Sequence, residues 1–359
     1  MRHAATFPAM NGAPPRLLGM ALFALALAIW AAMSLAVVAL ATSPAHRAAL
    51  SGLLESLTDW LPWRVSGESA VSSLVDRMAM LSAAILPVLL LETTVAGWRE
   101  SSLRRLIGGR SVSSLTELAI YGLNFIGLWK YLTMLASFGL AILVGAGLGQ
   151  VMAAMGAAGW RLNTGQVAVD SCLALLLFTF CDYWNHRIQH MRLFWPLHRM
   201  HHSATEMTVL TLWRTHPASS AIEPFLKVWP LALFDIPAGI VSAVGLGVVF
   251  YVHLAHSNLR WDWGWFGRWV LIPPAGHRLH HSTHPDHMGK NLGIPVLWDR
   301  LFGTYDPGPL KDERLGVDDA EYNTGNLPRE LLRDLGDFGR AARGMIPSRR
   351  HGATGPAAP

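Results

Sequence analysis

Thirteen of the sixteen histidines in this chain lie between His186 and His287, and eight of them fall in three tight clusters. The clusters read HRIQH at 186–190, HRMHH at 198–202 and HRLHH at 277–281. On a helix, residues three and four apart share one face. His186 with His190, His198 with His201 and His202, and His277 with His280 and His281 therefore each form a stripe of imidazoles. Imidazole is a favoured ligand for transition metals. Eight such groups exceed the four ligands of a structural zinc, or the three of a catalytic one, so two ions sharing the clusters fit better.

Residues around the clusters extend the site. His256, in YVHLAHSN, is a further candidate ligand, and His253 beside it is left open. Asp182 precedes His186 by four residues and shares its stripe. A carboxylate there is expected to accept the free N–H of His186 and fix its tautomer, as metal-bound histidines commonly arrange; direct ligation is the alternative. His216, before Pro217 in RTHP, reads as a hydrogen-bonding residue, and His284 and His287 read as members of a solvated loop. No HExxH occurs, so a protease-type zinc helix with its glutamate base has no support. Haem ligation, needing one or two axial histidines, does not explain the doublets.

The elements that must carry these side chains are apolar. Of 359 residues, 52% are hydrophobic and 15% charged, against about 25% charged in a soluble domain. Two cysteines exclude a disulfide framework and a thiolate zinc site. The net charge of +5 comes mostly from loop and tail arginines, which suits loops beside anionic lipid rather than nucleic-acid binding.

Leu17–Thr42 is an uncharged run of 26 residues, longer than the about 7–15-residue core of a signal peptide and long enough to span. Further spans are expected at 78–98, 131–158 and 167–184, with 118–129 too short to decide between a span and an interfacial helix. The arginine-rich loop at 99–110 should be cytoplasmic. That places the N-terminus and the histidine clusters on the cytoplasmic side. Val228–Tyr251, at 24 residues, is too short for the about 40 that two crossings need; its prolines and glycines permit a re-entrant or bent hairpin. Trp261, Trp263, Trp265 and Trp269 read as an interfacial belt. Arg187, Arg199 and Arg278 either pair with Asp182 or other acids, or meet a lipid headgroup.

The expected fold is thus an all-α integral membrane protein with about four spans plus the hairpin, and a cytoplasmic-face helical cap carrying a polyhistidine di-metal site. Residues 1–164 form an N-terminal membrane region, 165–306 the catalytic domain and 307–359 a polar C-terminal tail, disordered at its end.

In their order HxxxH, HxxHH, HxxHH, the clusters resemble those of the fatty acid hydroxylase and sterol desaturase superfamily, integral membrane di-iron oxygenases. DYWNHRIQH at 182–190, HRMHHS at 198–203, RTHP at 214–217, HSN at 256–258, HRLHHS at 277–282 and WDRLFGTY at 298–305 carry the resemblance. One departure is NLG at 291–293, where the middle position is usually aromatic.

The resemblance implies two iron ions on His186, His190, His198, His201, His202, His256, His277, His280 and His281, with molecular oxygen as co-substrate. The substrate would be a membrane lipid (sterol, fatty acyl, sphingolipid or ether lipid), hydroxylated or desaturated. With no cytochrome b5 segment in the sequence, electrons are expected from a separate cytochrome b5-like or ferredoxin-like protein. Zinc could accompany purified protein, since the affinity order favours it over ferrous iron. A membrane zinc-dependent lipid hydrolase is the rival reading, requiring a general base and one open-site metal. A metal transporter should instead line a path across several spans with its ligands.

Overall fold

The computed structural model describes residues 16–59, 66–108, 111–137, 147, 150, 154, 164–227, 234, 236–308 and 314–345. Among them the chain is helical, without strands; one isolated bridge joins Ser282 to Leu315. Two helices are long and apolar enough to cross a membrane, or up to four if each of two bent pairs is one span.

Helix α1, Arg16–Thr42, covers the first expected span, and Ser43 breaks it from α2, Pro44–Thr58. Helix α3, Gly67–Val95, starts well before the span expected at 78–98. Glu68, Asp76 and Arg77 end the apolar run without ending the helix, which Ser66 caps by accepting from Ser69 N–H. Inside α3, a π-turn at Leu81–Ile85 precedes Pro87, a residue that cannot donate to the preceding turn. After α4, Ser102–Gly108, helices α5, Val112–Phe125, and α6, Trp129–Ala136, meet at 93°. Gly127, at φ +80°, takes up the bend. Most of the span expected at 131–158 lies outside the described residues.

Helix α7, Val167–Gln189, is the span that delivers the first cluster. Its apolar residues Val169, Leu175, Leu176 and Phe180 are exposed, an outward face suited to lipid. Helix α8, Trp195–His202, follows, and then α9, Pro217–Lys227. Helix α10, Ala238–Ala255, runs unbroken through Gly245 and Gly247, so the bend those glycines permit is not made there. The start of the expected hairpin, at 228–233 and 235, is outside the described residues. Helices α11, Gly264–Trp269, α12, Pro274–His280, and α13, Val296–Leu301, complete the cap.

The stretch read as a polar tail contains α14, Leu327–Met345. It packs on α8: Arg199 Nη2 lies 2.8 Å from the fully buried Asp334 and also bonds Asp337. Its polarity is real but serves burial against a cationic neighbour. Residues 346–359 are outside the described residues.

Apolar clusters bind the parts together. Ile85 and Val88 of α3 pack with Val209, Leu210, Leu254 and Leu259, and partly buried Trp261 and Trp263 join them. Those two tryptophans are partly buried against this cluster, whereas Trp265 and Trp269 are exposed. Ile120, Trp129, Met200 and Tyr322 tie α5 and α6 to α8 and the C-terminal region. Glu92, buried in α3, accepts from Ser102 N–H at 2.7 Å, from the Ser102 hydroxyl and from Asn258 N–H, pinning the turn after α10.

Candidate metal centre

Four helices end at one place. His186 lies in the last turn of α7 and His190 at its C-cap; His198, His201 and His202 close α8; His256 is the C-cap of α10; His277 and His280 are on α12, with His281 its C-cap. Helix C-termini carry partial negative charge and favour cations.

The imidazoles fall into two groups. His186, His190, His198, His202 and His280 form one, and His201, His256, His277 and His281 the other, with ligand atoms within 4.8 Å of one another in each. The HxxHH spacing explains the division. In each cluster the i and i+4 residues, His198 with His202 and His277 with His281, go to one group. The i+3 residue, His201 or His280, goes to the other. At about 100° per residue, i+3 and i+4 point to opposite flanks of the stripe, so each short helix serves both groups.

Hydrogen bonding shows what these rings are ready for. His186 Nδ1 donates to Leu292 O at 2.8 Å, and His280 Nδ1 donates to Lys290 O at 2.7 Å. Each Nε2 is then a bare lone pair, and the two face each other at 3.1 Å. In the second group, His256 Nδ1 donates to Val252 O, leaving its Nε2 2.9 Å from His277 Nε2 and 3.3 Å from His201 Nε2. Both nitrogens of His190 and His281, Nε2 of His198 and His202, and Nδ1 of His201 are buried without a hydrogen-bond partner. Burial, reinforced by the neighbouring imidazoles, holds His190, His198, His201, His202, His277, His280 and His281 well below the ordinary imidazole pKa. Neutral, converging, unmatched lone pairs fit two transition-metal ions, and the described residues offer those atoms no other partner.

Asp182 does not play the part expected of it. The carbonyl of Leu292, not Asp182, sets the His186 tautomer. Asp182 Oδ1 instead accepts from Lys227 Nζ at 2.8 Å, and it belongs to neither imidazole group. The clusters' arginines also avoid it. Arg187 donates to the Tyr183 hydroxyl, Arg199 to Asp334, and Arg278 to Asn258 Oδ1.

Other histidines are satisfied by the protein. His253 accepts from Trp213 Nε1–H and donates to Val249 O. His216 accepts from Ala218 N–H and donates to Leu331 O, and burial pushes its pKa down to about 4. His287, expected in a solvated loop, is buried, with Nδ1 2.6 Å from the Ser282 hydroxyl. The turn at 282–287 folds inward against Leu315 and Arg314, which sequence spacing does not reveal.

Sequence reasoning missed the support of the first group. Segment 290–293 supplies both orienting carbonyls, and Asp299 holds it: its carboxylate accepts from Leu292 N–H at 2.9 Å, Gly293 N–H at 2.8 Å and the Thr304 hydroxyl. Gly293 admits no side chain, since a Cβ would sit 2.8 Å from the Tyr183 ring. The motif WDRLFGTY contains Asp299, but a backbone carbonyl leaves no mark on residue type.

In front of the histidines lies a cavity of about 210 Å³. His186, His198, His201, His256 and His277 form its floor, and Phe178, Leu212, Val248, Val252 and Ile272 supply apolar wall.

Residues 171–304 match the fatty acid hydroxylase family. An alkylglycerol monooxygenase of Xenopus tropicalis is 31% identical over 140 residues, 38% of this chain and 30% of that protein. Its counterpart in Danio rerio is 32% identical over 137 residues, again 38% and 30%. A Delta(7)-sterol 5(6)-desaturase of Gibberella zeae is 26% identical over 158 residues, 44% of this chain and 42% of that protein. The chain thus spans less than half the length of these relatives. No solved structure matches. The family match and these relatives support placing the site-bearing residues 171–304 in the fatty acid hydroxylase and sterol desaturase superfamily. Helical spans and histidine clusters accord with an integral membrane protein of that class.

Proposed function

We propose that this protein is a membrane-bound, oxygen-dependent di-iron oxidoreductase that hydroxylates or desaturates a lipid. The observation carrying this reading is the pair of buried imidazole groups whose lone pairs converge beside an apolar-walled cavity. His186, His190, His198, His202 and His280 would hold one ion, and His201, His256, His277 and His281 the other. Iron held there supplies the redox chemistry with dioxygen that attack on an unactivated C–H bond needs, and that zinc lacks.

The chain's own groups prepare that chemistry. Neutral imidazoles leave the ions' positive charge uncancelled. Leu292 O and Lys290 O hold two rings with Nε2 inward, and Asp299 fixes the segment bearing both carbonyls. The apolar part of the cavity wall, with Phe178, Leu212, Val248, Val252 and Ile272, suits an apolar chain. Hydroxylation consumes one dioxygen, two electrons and two protons, and yields the alcohol and water. A separate cytochrome b5-like or ferredoxin-like protein would deliver the electrons. The N-terminus and histidines would face the cytoplasm, and residues 165–306 would form the catalytic domain.

Metal analysis and oxygen uptake test the reading together. Freshly purified protein should carry two irons per chain, and a strain expressing it should show an oxidised lipid by mass spectrometry. One zinc per chain, with lipid turnover persisting without oxygen, overturns it.

A further inference from the structure

The cavity in front of the histidines is lined unevenly. Phe178, Val248 and Ile272 are apolar, whereas Asp182, Asn185, Glu223 and Lys227 gather where α7 faces the end of α9. Lys227 Nζ is 2.8 Å from Asp182 Oδ1 and 3.3 Å from Glu223 Oε2. One ammonium thus serves two carboxylates, and the cluster keeps a formal excess of one negative charge, two minus one. Asn185 adds an independent sign. It is 2% exposed, its Oδ1 has no hydrogen-bond partner, and it lines the same cavity. A buried acceptor is rarely left unmatched, because its desolvation then goes uncompensated. Acceptors outnumber donors at this end of the cavity.

We propose that Asp182, Asn185 and Glu223 seat the polar end of the substrate, and that this end donates hydrogen bonds. It is a hydroxyl-bearing or ammonium headgroup, not an ionised carboxylate or a phosphodiester, which brings no hydrogen-bond donor to these acceptors. Lys227 positions the two carboxylates. Asp182 stands one helical turn before His186, about 6 Å along the axis, so the carbon presented to the histidines is only a few bonds from the headgroup. This inference rests on reading the site as a lipid-oxidising centre.

The test uses the full chain in phosphatidylcholine nanodiscs and three probes sharing one tail: 1-O-dodecylglycerol, dodecylamine and laurate. Binding is read as the dissociation constant from tryptophan fluorescence, without turnover. The diol and the amine should bind at least about tenfold more tightly than laurate, the scale of a hydrogen bond to a charged group. The double variant Asp182→Asn, Glu223→Gln should erase that preference. Asn185→Leu should weaken the diol while preserving or raising the melting temperature, which decides the matter if the double variant fails to fold. Laurate binding as tightly as the diol, or an order unchanged in the variants, overturns the proposal. Iron content and oxygen uptake on the same preparations separate the two readings. A headgroup preference without oxygen uptake defeats the oxidase assignment alone; oxygen-dependent lipid oxidation without the preference defeats this inference alone.

Discussion

His186 and His280 face each other Nε2 to Nε2 at 3.1 Å, and each has already given its Nδ1 proton to a backbone carbonyl. No proton is left to share between the neutral rings. Two lone pairs at that distance repel unless a cation lies between them, so the two rings read as ligands.

Replacing either ring should remove metal rather than merely loosen it. His280→Ala is expected to lower activity by more than the about 100-fold that losing an outer-sphere partner costs. Metal per chain, measured by mass spectrometry of purified protein, should fall with it. Full metal content in the variant would remove His280 from the ligand set.

Asp299 acts one step further out. Asp299→Ala strips an acceptor from two buried amides and a hydroxyl, and should reduce metal affinity by about 10–100-fold. The melting temperature should also drop, since unmatched buried donors cost about 1–3 kcal/mol each. If affinity is unchanged while stability falls, segment 290–293 has only a structural role.

His253 provides the contrast. Its two nitrogens are taken by Trp213 and Val249, so His253→Ala should leave two metals bound. It should destabilise the protein by about 1–3 kcal/mol through the orphaned indole N–H. Metal analysis beside a denaturation curve checks both halves, and a lost metal would make His253 a ligand.

His216 predicts a pH dependence. Its folded pKa is lowered to about 4, against about 6.5 unfolded. The unfolded chain therefore binds the extra proton first. Stability from the neutral ring is complete above pH 6.5 and is lost as pH falls from there to about 4, on the order of 3 kcal/mol in all. His216→Gln should flatten that part of the melting-temperature profile relative to the unaltered protein. Superimposable profiles from pH 7.5 to 4.5 would contradict it.

The C-terminal helix should be required for the second cluster's support. Asp334 is fully buried against Arg199, and Asp334→Ala leaves that largely covered guanidinium with its main partner gone. A loss of about 3–5 kcal/mol is expected, discounted toward the lower value because Arg199 keeps Asp337 and some solvent. Truncation before Leu327 should be at least as damaging by the same measurement.

Much of this was open to reading from the chain alone. Histidines at offsets of three and four must share a helix face, because 3.6 residues make a turn; that arithmetic is local and needs no partner. Apolar length likewise announced α7 and the apolar part of α3, since a span is set by the thickness of the bilayer. Tertiary structure decided the rest. Spacing puts i+3 and i+4 on opposite flanks of the stripe, but which group each flank joins depends on how four helix ends converge. The partner of Asp182 is Lys227, 45 positions away, rather than the histidine one turn on, because proximity along a stripe does not fix where a flexible carboxylate finds its strongest donor. The carbonyls of Lys290 and Leu292 carry no trace in residue type, as every residue has one. Sequence, then, pointed to a metal site and to the side chains that could form it; only the folded chain decided how those side chains are grouped, and what holds them in place.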